Sequence, residues 1–322
     1  MSTFLIPPTH ASEISRILSQ EMSQEIVGHE GLIERLLVAL ICNGHVLLEG
    51  LPGLAKTKTL SSMAKCLSLQ MKRVQFTPDL LPSDVIGTEV YRPQTGEFTK
   101  RHGPIFANIL LADEINRAPA KVQSALLQAM QERCVTIGED TIPLPSPFLV
   151  LATQNPIEHE GTYPLPEAQL DRFLFKILVG YPSEKEEVEI IRKASSLSGA
   201  KISQVIDLET INKLTSSVQS VHVEERIDRY IVSLVSATRS KNSPTISGLL
   251  DWGASPRAGI SLRSAARALA YIRGSDHVSP DDVKELTPDV FRHRILLSFE
   301  AETRGISSDD IIASILKETP IP

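Results

Sequence analysis

An α/β domain built on a parallel sheet, followed by an all-helical domain, is the architecture expected of this chain. Three observations support it. Short apolar runs at 45–48, 73–76, 109–112 and 148–152 alternate with helical patterns, the order of a parallel sheet with crossover helices. A Gly/Pro turn at 50–57 joins the first run directly to a helix. Beyond 184 the signals are apolar stripes at three-to-four spacing.

Helical spacing first appears at 13–24 through Ile14, Ile17 and Leu18, and again at 30–42 through Leu32, Leu36, Leu37 and Leu40. A buried strand at 45–48, a helix at 56–69 and a second strand at 73–76 follow. Between 77 and 104 periodicity fails and Pro, Gly and polar residues dominate, which is longer than an ordinary connection and reads as a functional insertion. The run Ile109-Leu110-Leu111-Ala112 resumes the sheet. A helix at 120–131 carries Val122, Leu126, Leu127 and Met130 on neighbouring turns, 133–142 reads as a hairpin about Gly138-Glu139-Asp140, and strands follow at 148–152 and 171–179. Composition changes at Gly180-Tyr181-Pro182-Ser183. Helices are then expected at 184–193, 208–218, 224–238, 256–271 and 280–297, the last opened by Pro280 behind a Ser279 cap. The expected division is an α/β domain at 1–182 and a helical domain at 183–322. Trp252, beside the Gly253 turn, is expected to anchor the lid.

The 322 residues can bury a sizeable core, and 42% apolar with 22% charged side chains is ordinary for a globular protein. No apolar stretch reaches the ~18 residues of a membrane span, and the first ten residues lack the order of a secretion signal, so a cytoplasmic location without membrane insertion is expected. The three cysteines, Cys42, Cys66 and Cys134, are far apart and expected to be reduced thiols. A net charge of −6, from 33 basic against 39 acidic residues, disfavours a dedicated nucleic-acid binder. The eight histidines show no metal-ligand spacing.

The strongest local signal is Gly50-Leu51-Pro52-Gly53-Leu54-Ala55-Lys56-Thr57, between a strand and a helix. Backbone N–H groups of such a loop converge on β- and γ-phosphate oxygens. Lys56 would neutralise the phosphates and the Thr57 hydroxyl would ligate Mg²⁺. Ala55 stands where the usual pattern has glycine. Such a loop needs a carboxylate on a neighbouring strand and a group to activate water. Asp113 and Glu114, at the end of the run 109–112, suit these roles: Asp113 for Mg²⁺, directly or through its water, and Glu114 for the attacking water. Asn155, after the strand 148–152, is placed to contact that water or the γ-phosphate. An acidic helix cap and an Asn-Pro turn are the structural readings of the same residues.

Together these residues resemble the MoxR branch of the AAA+ ATPases. The likeness is carried by Glu49 to Thr57, by Asp113-Glu114-Ile115-Asn116-Arg117-Ala118, by Gln128-Ala129-Met130-Gln131-Glu132, by Ala152-Thr153-Gln154-Asn155-Pro156 and by the Gly161 to Phe173 stretch GTYPLPEAQLDRF. It spans about 10–315, and the GLAKT form of the phosphate loop occurs within the family. The resemblance implies a sensor 1 role for Asn155, an arginine finger at Arg172 that projects into the next subunit's ATP site, and a sensor 2 role for Arg257. It places a helix 2 insertion at 77–104 and a pre-sensor 1 hairpin at 133–142.

The implied activity is Mg²⁺-dependent ATP hydrolysis by a homo-oligomer, a ring of six by resemblance, with the lid closing over the phosphates through Arg257. A guanidinium at the helix start of Arg257 would be matched there by an anion such as phosphate. Tyr91 and Phe98 in the insertion are candidates to grip a polypeptide, and Arg117 is a candidate for a subunit boundary. The family implies a protein client, with von Willebrand factor A domain proteins as one partner class. No appended partner domain is expected. A nucleic-acid motor would need basic moving loops, whereas the insertion mixes Arg92, Lys100 and Arg101 with Asp79, Asp84, Glu89 and Glu97. A non-hydrolysing nucleotide switch is the third class, which Ala55 keeps open and Glu114 and Arg172 oppose.

Overall fold

The computed structural model describes residues 5–28, 30–50, 56–155, 161–195, 202–239 and 246–322. Helices α1 (Pro8–Met22) and α2 (Glu30–Ile41) lead into strand β1 (Val46–Gly50), followed by α3 (Lys56–Cys66) and β2 (Met71–Gln75). A short α4 (Pro82–Ile86) opens the insertion, whose body is a hairpin of β3 (Gly87–Arg92) and β4 (Glu97–His102). Strand β5 (Ile109–Asp113), helix α5 (Ala120–Glu132), a second hairpin of β6 (Cys134–Ile137) and β7 (Asp140–Pro143), strand β8 (Leu149–Gln154), α6 (Glu167–Leu170) and β9 (Phe175–Val179) complete the α/β part.

Five of these strands form one parallel sheet in the order β2-β5-β8-β1-β9. Alternation explains why they read as unbroken apolar runs. Side chains of a strand point to opposite faces in turn. Val46, Leu48, Ile109, Leu111, Leu149 and Leu151 face a core shared with α1, α2 and α3. Their neighbours Leu47, Leu110, Ala112, Val150 and Ala152 face a second core against α5. Both faces are covered, so no polar face is left to break the run.

The second half comprises α7 (Glu184–Ser195), α8 (Leu208–Ser217), α9 (Glu225–Ala237), a strand β10 (Leu250–Trp252), α10 (Pro256–Ile272), α11 (Pro280–Phe291), a strand β11 (Leu296–Leu297), α12 (Phe299–Thr303) and α13 (Ser308–Glu318). Ser279 caps α11 ahead of Pro280: its hydroxyl accepts from the Asp282 N–H, and the Asp282 carboxylate accepts from the Ser279 N–H. Two expectations fail here. The stripe read as one helix over 280–297 stops at Phe291, because the next three side chains turn back to acceptors in β9 and in the segment leading into it: Arg292 to the Lys176 carbonyl (2.5 Å), His293 to the Phe173 carbonyl (3.0 Å) and Arg294 to Asp171 (2.7 Å). The chain then pairs β11 with β10, so the helical part contains one antiparallel ribbon. Trp252, on that ribbon, is 73% exposed and does not anchor the core.

A charged cluster ties α2 to α11. Arg35, largely buried, contacts Glu285 (2.9 Å) and Asp289 (3.0 Å), and Arg273 bridges Glu34 (2.8 Å) and Glu285 (2.7 Å). Hydrogen bonds from Arg273 and then Arg35 outweigh burial and hold the Glu285 carboxyl down to about 2 from 4.5. Its folded value lies below its unfolded one, so its contribution is full above pH 4.5 and is lost as pH falls toward 2. Urea unfolding midpoints between pH 7 and about pH 3 should therefore drop less in Glu285→Gln than in wild type. An identical pH dependence in the two proteins would refute this coupling.

Candidate active site

Parallel strands bring their C-terminal ends to one edge, where open α/β sheets bind ligands. Gly50, Gln75, Asp113, Gln154 and Val179 lie there. Gly50 is required by close approach: a Cβ at this position would sit 2.5 Å from the Val179 carbonyl oxygen. Leu51, Pro52, Gly53, Leu54 and Ala55, assigned to the phosphate loop, lie outside the described residues. Lys56 and Thr57 open α3, with Thr57 exposed and the Lys56 ammonium donating to the Gly50 carbonyl at 2.6 Å. Burial pushes the Lys56 ammonium below its ordinary value, against the pull of Asp113, Glu49 and Glu114.

Asp113 and Glu114 are held by a network that sequence reasoning missed. The register sets Ala112 beside Ala152, which puts Thr153 of β8 next to Asp113. The buried Thr153 hydroxyl donates to Asp113 Oδ1 (2.7 Å) and accepts from the Glu114 N–H (2.9 Å). Glu114 is left-handed at φ 56, a conformation that costs a non-glycine residue about 1–2 kcal/mol. The Thr153 bond helps to hold that turn. Glu114 Oε2 accepts from Gln75 (2.7 Å) and Arg117 (2.9 Å). Arg117, a candidate for a subunit boundary, is thus engaged with Glu114 of the same chain. Arg73 of β2 pairs with Asp113 Oδ2 at 2.6 Å. The loop beyond Glu114 is fixed by buried Gln123, whose amide donates to the carbonyls of Ile115, Ala118 and Tyr163. Asn155 follows β8 directly and is half-buried. The only clue in the sequence was Thr153 itself, a hydroxyl at the end of an apolar strand.

The donor set suits Mg²⁺. The ion takes hard oxygen ligands and is usually held by one or two protein groups plus substrate phosphates. The Thr57 hydroxyl and the Asp113 carboxylate are such groups. Among the described residues no cluster of three His, Cys, Asp or Glu could cage a metal unaided.

Arg172 and Arg257 lie elsewhere. They share a cavity of about 280 Å³ with Gly44, His45, Met130 and Arg294. Leu174 and Phe175 donate to the His45 carbonyl, so this cavity sits at the N-terminal ends of β1 and β9. From Gly44 to Gly50 is about 20 Å at the rise of a strand. Arg172 donates to the Leu127 carbonyl (2.7 Å) and Arg257 pairs with Asp171 (3.2 Å). The anion at the start of α10 is therefore Asp171, and lid closure over the chain's own phosphates through Arg257 is not the geometry observed. Asp171 is itself held by buried Arg294 at 2.7 Å. His45 accepts from the Val150 N–H on Nδ1 and contacts the Met130 carbonyl through Nε2, and burial pushes it down to about 3, so the ring is neutral.

Residues 45–175 match the model of the ATPase family associated with various cellular activities, and 246–315 match the AAA lid domain. The chain is 50% identical over 305 residues to Chaperone MoxR1 of Mycobacterium tuberculosis, covering 94% of this chain and 81% of that protein. It belongs to the MoxR family of AAA+ ATPases. Protein MoxR of Methylorubrum extorquens is 30% identical, over 94% of each chain. A crystal structure of a candidate ATPase from Cytophaga hutchinsonii superposes with a TM-score of 0.92 at 44% identity, covering 98% of this chain and 97% of that one. This MoxR-family chain is an ATPase, and its fold is the AAA+ core with a helical lid. Among the described residues no helix is long and apolar enough to cross a membrane.

Thr153→Val keeps the side-chain shape but leaves the Glu114 N–H without its acceptor and Asp113 Oδ1 without the Thr153 donor, a loss of about 1–3 kcal/mol. Steady-state kinetics should show kcat reduced about tenfold or more with a smaller change in KM for ATP. A variant with wild-type kcat would remove Thr153 from the machinery.

Proposed function

We propose that each ATP is held between two subunits of a ring. One subunit, through its nucleotide-binding unit at 1–182, supplies the Gly50–Thr57 loop, with Lys56 and the backbone of Pro52 to Ala55 on the phosphates. Thr57 and Asp113 hold Mg²⁺, which neutralises charge on the phosphates when bound. Glu114 orients and deprotonates the attacking water, and Asn155 contacts it or the γ-phosphate. The neighbour supplies Arg172 and, from its lid at 183–322, Arg257. The observation that carries this reading is the separation of about 20 Å between Gly50 and the Arg172–Arg257 cavity, too far for one subunit to bridge. A guanidinium needs no proton transfer to stabilise charge growing on the γ-phosphate oxygens, so two of them suit phosphoryl transfer.

The output is chaperone-like remodelling of a protein client in the cytoplasm, by a hexamer. Relatedness to Chaperone MoxR1 supports the client class. The two hairpins support the contact surface: Tyr91 and Phe98 are 52% and 68% exposed and form a cross-strand ring pair 5.2 Å apart. An ion pair of Lys100 with Asp140 joins the hairpins, so both would move together. A von Willebrand factor A domain protein is the partner class to test first.

Glu114→Gln should retain ATP binding and lose about 10²–10⁴-fold in turnover. Wild-type turnover per subunit should rise with protein concentration as subunits assemble, and rise further with an A-domain client but not with single- or double-stranded DNA. Full activity in a dilute monomer, or stimulation by DNA alone, would overturn the proposal.

A further inference from the structure

Edge strand β2 carries a cation that turns toward the candidate site. Met71 packs in the core shared with α3 and Val74 in the core against α5, so alternation puts Met71, Arg73 and Gln75 on the α3 face. Asp113 lies on that same face, in step with Ile109 and Leu111 of β5. A charged residue on an edge strand ordinarily stands in solvent and keeps further strands from pairing. Arg73 instead runs along its strand to the ligand edge. Its Nε (3.1 Å) and Nη2 (2.6 Å) both donate to Asp113 Oδ2, and Nη2 also donates to Gln75 Oε1 (3.1 Å). Lys72, on the opposite face of β2, is exposed.

The two oxygens of Asp113 are thus divided between two donors. Oδ1 accepts from the Thr153 hydroxyl (2.7 Å) and Oδ2 from Arg73, so the group read as a Mg²⁺ ligand has a resident counter-ion. Neighbouring acids are matched in the same way. Glu49 pairs with Lys176 (2.7 Å) and Glu114 with Arg117 (2.9 Å), which leaves the Lys56 ammonium, on the Gly50 carbonyl, as positive charge in excess of these pairs. An edge so balanced attracts phosphate and opposes a bare divalent cation.

We propose that Arg73 is a positioning residue that competes with Mg²⁺ for Asp113 Oδ2, so that free Mg²⁺ is held out and the ion is accepted together with the nucleotide phosphates. On the reading of Asp113 as the Mg²⁺ carboxylate given above, the guanidinium keeps that carboxylate aimed and charge-paired. Phosphate oxygens then bring both the negative charge and the further ligands that an octahedral ion needs. The pair can be given up at that point, because an ion pair whose arginine is half exposed is weak.

The test measures Mn²⁺, standing in for Mg²⁺, bound to the full chain without nucleotide, by electron paramagnetic resonance of the free ion. Arg73 and Lys72 are both exposed, and circular dichroism of their variants should match wild type. Arg73→Gln should bind Mn²⁺ about three- to tenfold more tightly than wild type, the effect of one partly screened charge near contact distance. Arg73→Lys keeps the charge and should stay near wild type. Lys72→Gln removes the same charge from the other face of the strand and should also stay near wild type. With a fluorescent ADP analogue bound, the Mg²⁺ midpoint should shift less in Arg73→Gln than the Mn²⁺ affinity does without nucleotide. Unchanged Mn²⁺ affinity in Arg73→Gln, an equal gain in Lys72→Gln, or equal shifts with and without nucleotide overturns the role of Arg73. Adding Asp113→Asn to Arg73→Gln should cancel the gain. A gain that survives this change overturns Asp113 as the metal carboxylate instead, so the two failures are distinguishable.

Discussion

All five strands of the central sheet run in one direction, and that polarity separates the chemistry of the molecule into two halves. Lys56, Asp113, Glu114 and Thr153 gather at the C-terminal edge, while Arg172 and Arg257 gather beside Gly44 and His45 at the N-terminal edge. A rigid sheet buried on both faces cannot fold back to join its own ends. On the proposed reading, Glu114 and the two guanidinium groups serve one nucleotide only when a second sheet approaches, which would make assembly a condition of turnover.

The lid is coupled to the core at the arginine end. Asp171 receives Arg294 on one oxygen and Arg257 on the other. Arg294 also donates to the carbonyls of Phe173 and Val290, and Arg292 and His293 reach the same stretch of core. Burial pushes the Arg294 guanidinium down and Asp171 pulls it back up, as expected of a buried cation that its acceptors must compensate. Removing one partner of such a set usually costs about 3–5 kcal/mol, so the clasp is stiff. Arg172 sits between Asp171 and Phe173. Movement of α11 would therefore carry the arginine segment with it, which on the proposed shared site would connect nucleotide state to lid position.

The sheet was legible because its strands are buried on both faces, and the lid helices were legible because each has one apolar stripe. Features set by partners distant in sequence were harder to read. The helix end at Phe291 depends on acceptors at 171–176, more than a hundred residues earlier. Trp252 resembled an anchor until the ribbon turned it outward. For the candidate site, the acidic pair at the end of an apolar run was readable, because strand polarity alone sends such a pair to the ligand edge. Thr153 was not, because its role comes from the β5–β8 register. The position of Arg257 depends on which end of the sheet its helix starts from, and helical periodicity carries no such information.

The division of one ATP site between two subunits, as proposed, has a direct consequence for mixtures of variants. It is tested most directly by mixing Lys56→Ala protein with Arg172→Ala protein, each inactive alone, and measuring steady-state ATP hydrolysis. Activity well above the sum of the two is expected, because an intact phosphate loop on one variant meets an intact arginine on the other. A mixture no more active than its separate components, under conditions where the variants co-assemble, would contradict it.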